Sequence, residues 1–165
     1  MPLLLRKITL SRWKLPGDPC SDVLKCLSTE AGKLSLWVVS DDKANLESVV
    51  TALASNTDHV SELCYYMIDQ TILERLGVRC EQIAGDTPAI NANQYHVDAL
   101  GLTAIKLAEL ATSFYNVGVK GRRTNGEVKK ILRTALAAKA LDKSSMKASL
   151  LSSLEPAPVW FTEGG

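Results

Sequence analysis

Residues 34–55 read LSLWVVSDDKANLESVVTALAS, and the hydrophobic pattern of this stretch changes halfway along it. The residues Leu34–Val39 are apolar on both faces of an extended chain, which is typical of a strand inside a sheet. Apolar side chains then recur at positions 46, 49, 50, 53 and 54, the spacing of one face of an amphipathic helix. The stretch therefore predicts a central strand followed by a helix that packs on the sheet.

The same order of strand and helix occurs a second time. Residues 63–68 read LCYYMI and predict another apolar strand. Thr71 and Glu74 then have the spacing of a capping box, and Gly77 is placed to end the helix in a left-handed turn. Two further strands are predicted at Leu4–Leu10 and Val78–Ile83. The predicted core consists of Leu34, Leu36, Trp37, Val38, Leu63, Tyr65, Met67 and Ile68, with Leu46, Val49, Val50 and Leu53 packed on it.

The second half of the chain is predicted to be all-helical. Apolar residues recur with a helical period from about residue 102 to 115 and again from about 128 to 136. Thr124 and Glu127 have capping-box spacing at the start of the second of these helices. A third helix is predicted at about residues 144–154.

The predicted fold class is α/β or α+β, with a small sheet and a C-terminal group of two or three helices. The βαβαβ-like order of the N-terminal part favours parallel strands with helices covering the sheet. Residues 1–100 would form the sheet part and residues 101–165 the helical part, packed together as one compact domain. The polar stretch at residues 84–101 is long for a compact domain, so we expect either a hinge or a functional loop there.

The composition excludes several classes of protein. The chain has 165 residues, 46% hydrophobic and 22% charged, enough to build a core without disulfides or a structural metal. No apolar run reaches the roughly 20 residues of a membrane span, and residues 1–10 lack the pattern of a signal peptide. We therefore expect a cytoplasmic protein that does not enter the membrane.

The sequence contains no motif that specifies a cofactor, a metal or a reaction. The four cysteines, at positions 20, 26, 64 and 80, have no metal-ligand spacing and are interpreted as reduced thiols. Glycine-rich phosphate loops, GxSxG and HExxH are all missing. Neither a cofactor nor a metal is therefore predicted.

Three carboxylates are weak candidates for a catalytic or magnesium site. Asp41 and Asp42 follow one predicted strand, and Asp69 follows the next. If those strands run in the same direction, the carboxylates share the edge of the sheet where α/β proteins usually bind ligands, and Mg²⁺ prefers such oxygen ligands. The alternative is that each aspartate caps the helix that it precedes.

His96 is the fourth weak catalytic candidate, since it lies beside Asp98 and after the long polar stretch. A histidine next to a carboxylate can serve as a general base. On a helix, however, residues two apart do not face each other, and no nucleophile is marked by the sequence. A structural or surface histidine is the alternative.

The charges of the two halves differ. Residues 1–100 carry nine Lys and Arg against thirteen Asp and Glu, and residues 101–165 carry ten against five. A basic loop leading into a basic helix face is typical of a surface that binds phosphates or acidic proteins, although such a face is more often only solvated. The candidate residues for an anionic partner are Lys120, Arg122, Arg123, Lys129, Lys130 and Arg133.

Two large aromatic residues near the end of the chain, Trp160 and Phe161, follow a Pro-Ala-Pro segment. Large aromatic side chains are seldom left in water, so we expect them to dock on their own domain or on a partner chain.

Two functions from different classes remain. The preferred hypothesis is a non-enzymatic protein that acts through protein–protein contacts, with self-association as a homodimer and a protein or nucleic-acid partner at the basic face. The alternative is an enzyme or magnesium-binding protein with its carboxylates at the edge of the sheet. The first is preferred because every feature that the second needs has a sufficient local explanation.

Overall fold

A computed structural model of the protein describes residues 2–13, 21–27 and 32–155. Within these residues, six strands form one sheet. The strands are β1 (Leu3–Ile8), β2 (Leu34–Val39), β3 (Leu63–Asp69), β4 (Arg79–Gln82), β5 (His96–Leu100) and β6 (Val119–Arg123). Their order across the sheet is β4-β5-β2-β1-β3-β6, so β1 and β2 lie in the middle and β4 and β6 at the edges.

Neighbouring strands are antiparallel throughout the described sheet, so the expectation of parallel pairing is wrong. The reason is the position of β1, which lies between β2 and β3. Leu3 pairs with Val39 on one side and with Asp69 on the other. Strands β2 and β3 therefore run in the same direction, as their helical connection requires, without touching each other.

Helices cover both faces of the sheet. They are α1 (Ser21–Cys26), α2 (Leu46–Ser55), α3 (Thr71–Arg75), α4 (Ala104–Val117), α5 (Asn125–Ala137) and α6 (Ala148–Leu154), with short 3₁₀ helices at Leu10–Trp13, Ile90–Tyr95 and Lys143–Ser145. One core joins the sheet to α1, α3 and α4, and includes the fully buried Phe114. The other joins it to α2, α5 and α6, and includes the fully buried Leu132 and Leu150.

The α/β fold class is confirmed, as is the central strand at Leu34–Val39. Burial of both faces explains why β2 and β3 are nearly continuous apolar runs. Most of the predicted core is buried, whereas Val38, Leu46 and Leu53 are partly buried. Among the described residues, no helix has the length and apolar content that crossing a lipid bilayer requires.

The prediction of an all-helical second half is wrong at Val119–Arg123. This segment is β6, and it pairs with β3 at the edge of the sheet. The polar stretch at residues 84–101 is also more regular than expected, because it contains the 3₁₀ helix Ile90–Tyr95 and strand β5. Strand β6 reads VKGRR, so it has one apolar side chain and no apolar period that would indicate a strand.

One of the two predicted capping boxes forms. The Thr124 hydroxyl accepts a hydrogen bond from the backbone N–H of Glu127, whose carboxylate accepts one from the backbone N–H of Thr124. The box predicted at Thr71 and Glu74 is wrong, because α3 begins after Gln70 and Thr71 donates to Asp69 instead. Gly77 does end this turn with a φ of 61°, as predicted.

Candidate functional site

The central strands β1 and β2 separate before either strand ends. Their pairing stops at Leu5 opposite Trp37. Beyond that point, β1 stays paired with β3 as far as Ile8. On the other side of the gap, β2 is paired with β5 from Leu34 to Trp37. A gap therefore opens within the sheet between two strands that are each held by an outer neighbour.

Two cavities of about 280 and 360 Å³ lie at this gap. They share four lining residues, Lys7, Ser35, Trp37 and Leu53, and together we call them the strand cleft. The first cavity is also lined by Arg6, Ile8, Thr9, Arg12, Lys25 and Cys26. The second is also lined by Asn56, Ala84, Gly85, Asp86, Thr87 and His96.

Arg6 occupies the place where the β1–β2 pairing would otherwise continue. Its Nη1 donates to the backbone carbonyl of Ser35 at 2.8 Å, and its Nη2 to that of Cys26 at 3.4 Å. Its Nε is buried and has no hydrogen-bond partner in the described part of the chain. Burial lowers the pKa of the guanidinium because it disfavours the charged form.

Lys7 is the next residue on β1 and projects toward the opposite face of the sheet. It is partly buried, and this burial together with the neighbouring Arg6 charge lowers the pKa of its ammonium group. Within the described ranges, the Lys7 ammonium group has neither a hydrogen bond nor an ion pair. The cleft therefore holds two adjacent cations with no carboxylate bonded to either among those residues.

The loop at residues 84–87 lines the second cavity together with Lys7. Gly85 packs so closely that an added Cβ would come within 3.0 Å of the Trp37 ring and 3.2 Å of the His96 Cβ. Its N–H donates to the Asn93 carbonyl at 2.9 Å, which ties the loop to the following 3₁₀ helix. The long polar stretch thus contributes to a cavity and is held in place.

His96 is the one weak catalytic candidate that lies in the cleft. Its Nε2 is 2.5 Å from the Ser35 Oγ, and its Nδ1 is 2.8 Å from the Ile83 carbonyl oxygen. Asp98 Oδ1 is 3.7 Å from the same Nε2. The expectation that His96 and Asp98 face apart on a helix is wrong, because both lie on β5 and residues two apart on a strand share a face.

The three aspartates of the predicted magnesium site lie at the opposite end of β2 from Ser35. They do follow the C-terminal ends of β2 and β3, and these ends lie at the same end of the sheet because the two strands run in the same direction. Asp42 accepts a hydrogen bond from the backbone N–H of Ala44 at 3.0 Å, and Asp69 accepts one from that of Thr71 at 2.8 Å. Each of these two carboxylates therefore accepts a hydrogen bond from the backbone two residues further along the chain.

Hydrogen bonding lowers the pKa of Asp42, mainly through Ser40, and that of Asp69, mainly through the Thr71 hydroxyl. The residue at the start of α2 is Asn45, so Asp41 and Asp42 lie upstream of the position expected for a cap. Across residues 2–13, 21–27 and 32–155, no group of three or more His, Cys, Asp or Glu side chains is arranged to hold a metal ion.

The predicted basic cluster divides between two elements. Arg122 Nε donates to the Glu62 carboxylate at 2.9 Å, and Arg133 Nε donates to the Leu154 carbonyl at 2.8 Å. These two side chains therefore have structural partners. Strand β6 carries Lys120, Arg122 and Arg123, and α5 carries Lys129, Lys130 and Arg133. Trp160 and Phe161 lie outside the described residues.

The sequence contains signals for the cleft in two of its predicted strands. Ser35 is the single polar residue in the run LSLWVV, and Arg6 and Lys7 interrupt the apolar strand LLLRKI. Charged side chains in a central strand are costly to bury unless something compensates them. The position of Arg6, Lys7 and Ser35 in predicted strands is therefore the signal by which the cleft could be identified from sequence.

Comparisons of this chain with protein-family models, curated proteins and solved structures found no match.

Proposed function

We propose that the protein binds a small organic anion in the strand cleft. The observation that supports this proposal is the pair of adjacent cations, Arg6 and Lys7, at the gap in the sheet. Burial lowers the pKa of both groups, which means that both are partly deprived of the water that stabilises their charge. Both side chains line the first cavity, although they leave β1 toward opposite faces of the sheet. A carboxylate or phosphate bound in the gap between them would offset both charges.

The charged residues that line the cleft indicate how a ligand would be oriented in it. Arg6, Arg12 and Lys25 line the first cavity, whereas Asp86 lines the second. The anionic group of the ligand would therefore occupy the first cavity. An uncharged part would extend past the indole of Trp37 into the second, where Leu53 adds apolar surface. Cavities of this size suit a small molecule rather than a polymer.

Binding is tested with three small probes: phenyl phosphate, glutarate and the neutral benzyl alcohol. We expect phenyl phosphate or glutarate to raise the melting temperature in proportion to the logarithm of its concentration, because each would bind only the folded protein. The two anions distinguish a phosphate site from a carboxylate site. Benzyl alcohol should have no effect, and isothermal titration should give a dissociation constant for the anion that binds.

The informative variant is Lys7→Met, which keeps the length of the side chain and removes its charge. It should weaken anion binding at least about tenfold, corresponding to ~1.4 kcal/mol. The matched control is Lys33→Met, because Lys33 is an exposed lysine outside both cavities. Equal binding by wild type and Lys7→Met, or no binding of either anion at millimolar concentration, would contradict the proposal.

A second candidate function is contact with an acidic protein segment at the β6 edge. One side of the β6 backbone has no neighbouring strand in the described sheet. Val119, the first residue of β6, and Val117 at the end of α4 are 50% and 65% exposed. An open edge can accept an additional strand, and Lys120 and Arg123 would favour an acidic one. Self-association as a homodimer, a nucleic-acid partner and a cytoplasmic location stay predictions from the sequence.

A further inference from the structure

The hydrogen bonds of His96 specify which of its nitrogens carries a proton. The Ile83 carbonyl oxygen can only accept, so the Nδ1 that lies 2.8 Å from it must donate. In the neutral imidazole, Nε2 is then the acceptor. The Ser35 hydroxyl, 2.5 Å away, therefore donates a hydrogen bond to Nε2. This is the arrangement in which an imidazole can remove a proton from a serine hydroxyl.

The imidazole is held in this orientation from several sides. Its ring packs edge-on to Trp37, with ring centroids 5.2 Å apart. Gly85 lies against its Cβ, and both Ser35 and His96 are in paired strands of the sheet. Asp98 Oδ1 is 3.7 Å from Nε2, so an imidazolium formed by proton transfer would have a carboxylate beside it. The side chains of His96 and Asp98 are both mostly buried, which strengthens that interaction.

Ser35 also lies where a bound ligand would meet it. It lines both cavities of the strand cleft. If the β1–β2 register continued by two residues past Leu5 and Trp37, Lys7 would be opposite Ser35. The hydroxyl is thus next to the gap that separates it from the two cations of the proposed anion site.

We propose that Ser35 is a nucleophile, that His96 is its general base, and that the substrates are esters whose acyl part carries an anionic group. This proposal rests on the proposed function, since Arg6 and Lys7 would hold that anionic group. The serine–histidine pair is the feature that a simple anion-binding site does not need.

The reaction has two steps, acylation of Ser35 and hydrolysis of the acyl-serine. First, Ser35 Oγ attacks the ester carbonyl carbon while its proton moves to His96 Nε2, and the carbonyl electron pair moves to oxygen. The carbonyl then re-forms, the bond to the alcohol oxygen breaks, and that oxygen takes the proton from Nε2. In the second step, water attacks the acyl-serine in the same way, releasing the acid and restoring the Ser35 hydroxyl. The net reaction converts ester and water into acid and alcohol.

The test uses two activated esters, the 4-nitrophenyl monoester of glutaric acid and the neutral 4-nitrophenyl butyrate. Wild-type protein should release nitrophenolate from the anionic ester in an initial burst. Intact-mass spectrometry should then find a mass increase of one glutaryl group, and peptide mapping should place it on Ser35. The map separates this outcome from direct acylation of Lys7, which would contradict the proposal.

Matched variants exist for both residues. Ser35→Ala and His96→Asn should each lose at least about 100-fold in rate, a typical contribution of general base catalysis. Ser61→Ala and His59→Asn, which change residues outside both cavities, should retain the wild-type rate. Lys7→Met should slow cleavage of the glutarate ester about tenfold more than it slows cleavage of the butyrate ester. Circular dichroism and thermal unfolding of each variant check that it is folded.

The two proposals fail in distinguishable ways. If wild-type protein binds phenyl phosphate or glutarate but cleaves neither ester faster than Ser35→Ala, the nucleophile proposal is overturned and the anion site stands. If it binds neither anion, the proposed function fails, and the specificity for anionic esters fails with it. A label on Ser35 that forms at equal rates in wild type and His96→Asn would also overturn the role of His96.

Discussion

Tyr65 lies directly opposite Gly121 in the pairing of β3 with the edge strand β6. A Cβ built on Gly121 would come within 2.1 Å of the Tyr65 ring, so the ring lies across the glycine backbone. Tyr65 is only 2% exposed in this position. The glycine allows an aromatic side chain of the central region to be covered by a strand that is otherwise polar.

Gly121→Ala should therefore destabilise the protein by about 1–3 kcal/mol, because the Tyr65 ring must move or the strand must shift. Urea unfolding measures this change. Gly126→Ala is the matched control, since a Cβ there meets nothing within 4 Å and alanine favours the helix. Equal unfolding free energies for the two variants would show that the ring does not depend on the glycine.

Leu36→Ala should cost about 2–5 kcal/mol, because Leu36 is fully buried in a strand with neighbours on both sides. The exposed Ile105 provides a comparison, since its side chain is 72% exposed and Ile105→Ala should change stability by less than about 0.5 kcal/mol. Denaturant midpoints of both variants give the measurement. A loss below about 0.5 kcal/mol for Leu36→Ala would contradict the central position of β2.

Thr124→Ala should destabilise the protein by about 0.5–2 kcal/mol, since it removes the hydroxyl that accepts from the N–H of Glu127. Thr124→Ser keeps that oxygen and should retain most of the stability. Thermal unfolding of both variants tests the capping box. Similar losses in the two variants would assign the effect to the lost methyl group rather than to the hydrogen bond.

Stability should fall as the pH is lowered. The Asp142 carboxylate accepts hydrogen bonds from the hydroxyls of Ser144 and Ser145, which lower its pKa in the folded protein. The unfolded chain therefore takes up the proton first, so acid favours unfolding and the stabilisation is present above the unfolded pKa. Asp42, Asp58, Asp69 and Glu127 have pKa values lowered in the same direction.

Melting temperatures between about pH 5 and pH 3 should decline in the wild type and decline less in Asp142→Asn. The double variant with Ser144→Ala and Ser145→Ala removes two donors while keeping the carboxylate, so its decline should also be shallower. A decline as steep as that of the wild type in both variants would exclude Asp142 as a contributor.

The basic residues of β6 and α5 can be tested apart from the cleft. If an anionic polymer or acidic peptide binds there, replacing Lys120, Lys129 and Lys130 by alanine should lower both the affinity and its salt dependence. Fluorescence anisotropy with a labelled poly-glutamate peptide and a DNA duplex, at about 50 and 200 mM salt, provides the measurement. Arg122 and Arg133 are left unchanged because they have structural partners. Binding that is unchanged in the triple variant would exclude this surface.

The regular elements of the interior were accessible from periodicity. Leu34–Val39 and the helix after it have apolar patterns that depend on neighbours within a few residues, as does the capping box at Thr124. By contrast, β6 is rich in Lys and Arg and has one neighbouring strand, so its strand character depends on pairing with β3. The direction of pairing was not accessible either, because it depends on the insertion of β1 between β2 and β3.

Single residues of the strand cleft could be identified from the sequence, but the cleft itself could not. His96 was a candidate because of its neighbour Asp98, a local feature. Its partner Ser35 is 61 positions away, and Arg6 reaches the Ser35 carbonyl across 29 positions. Hydrophobic period and capping arise from interactions within one or two turns, so they can be inferred from the order of residues. The gap between β1 and β2 arises because each strand stays with its outer neighbour, and only the assembled sheet brings the cations, the serine and the histidine together.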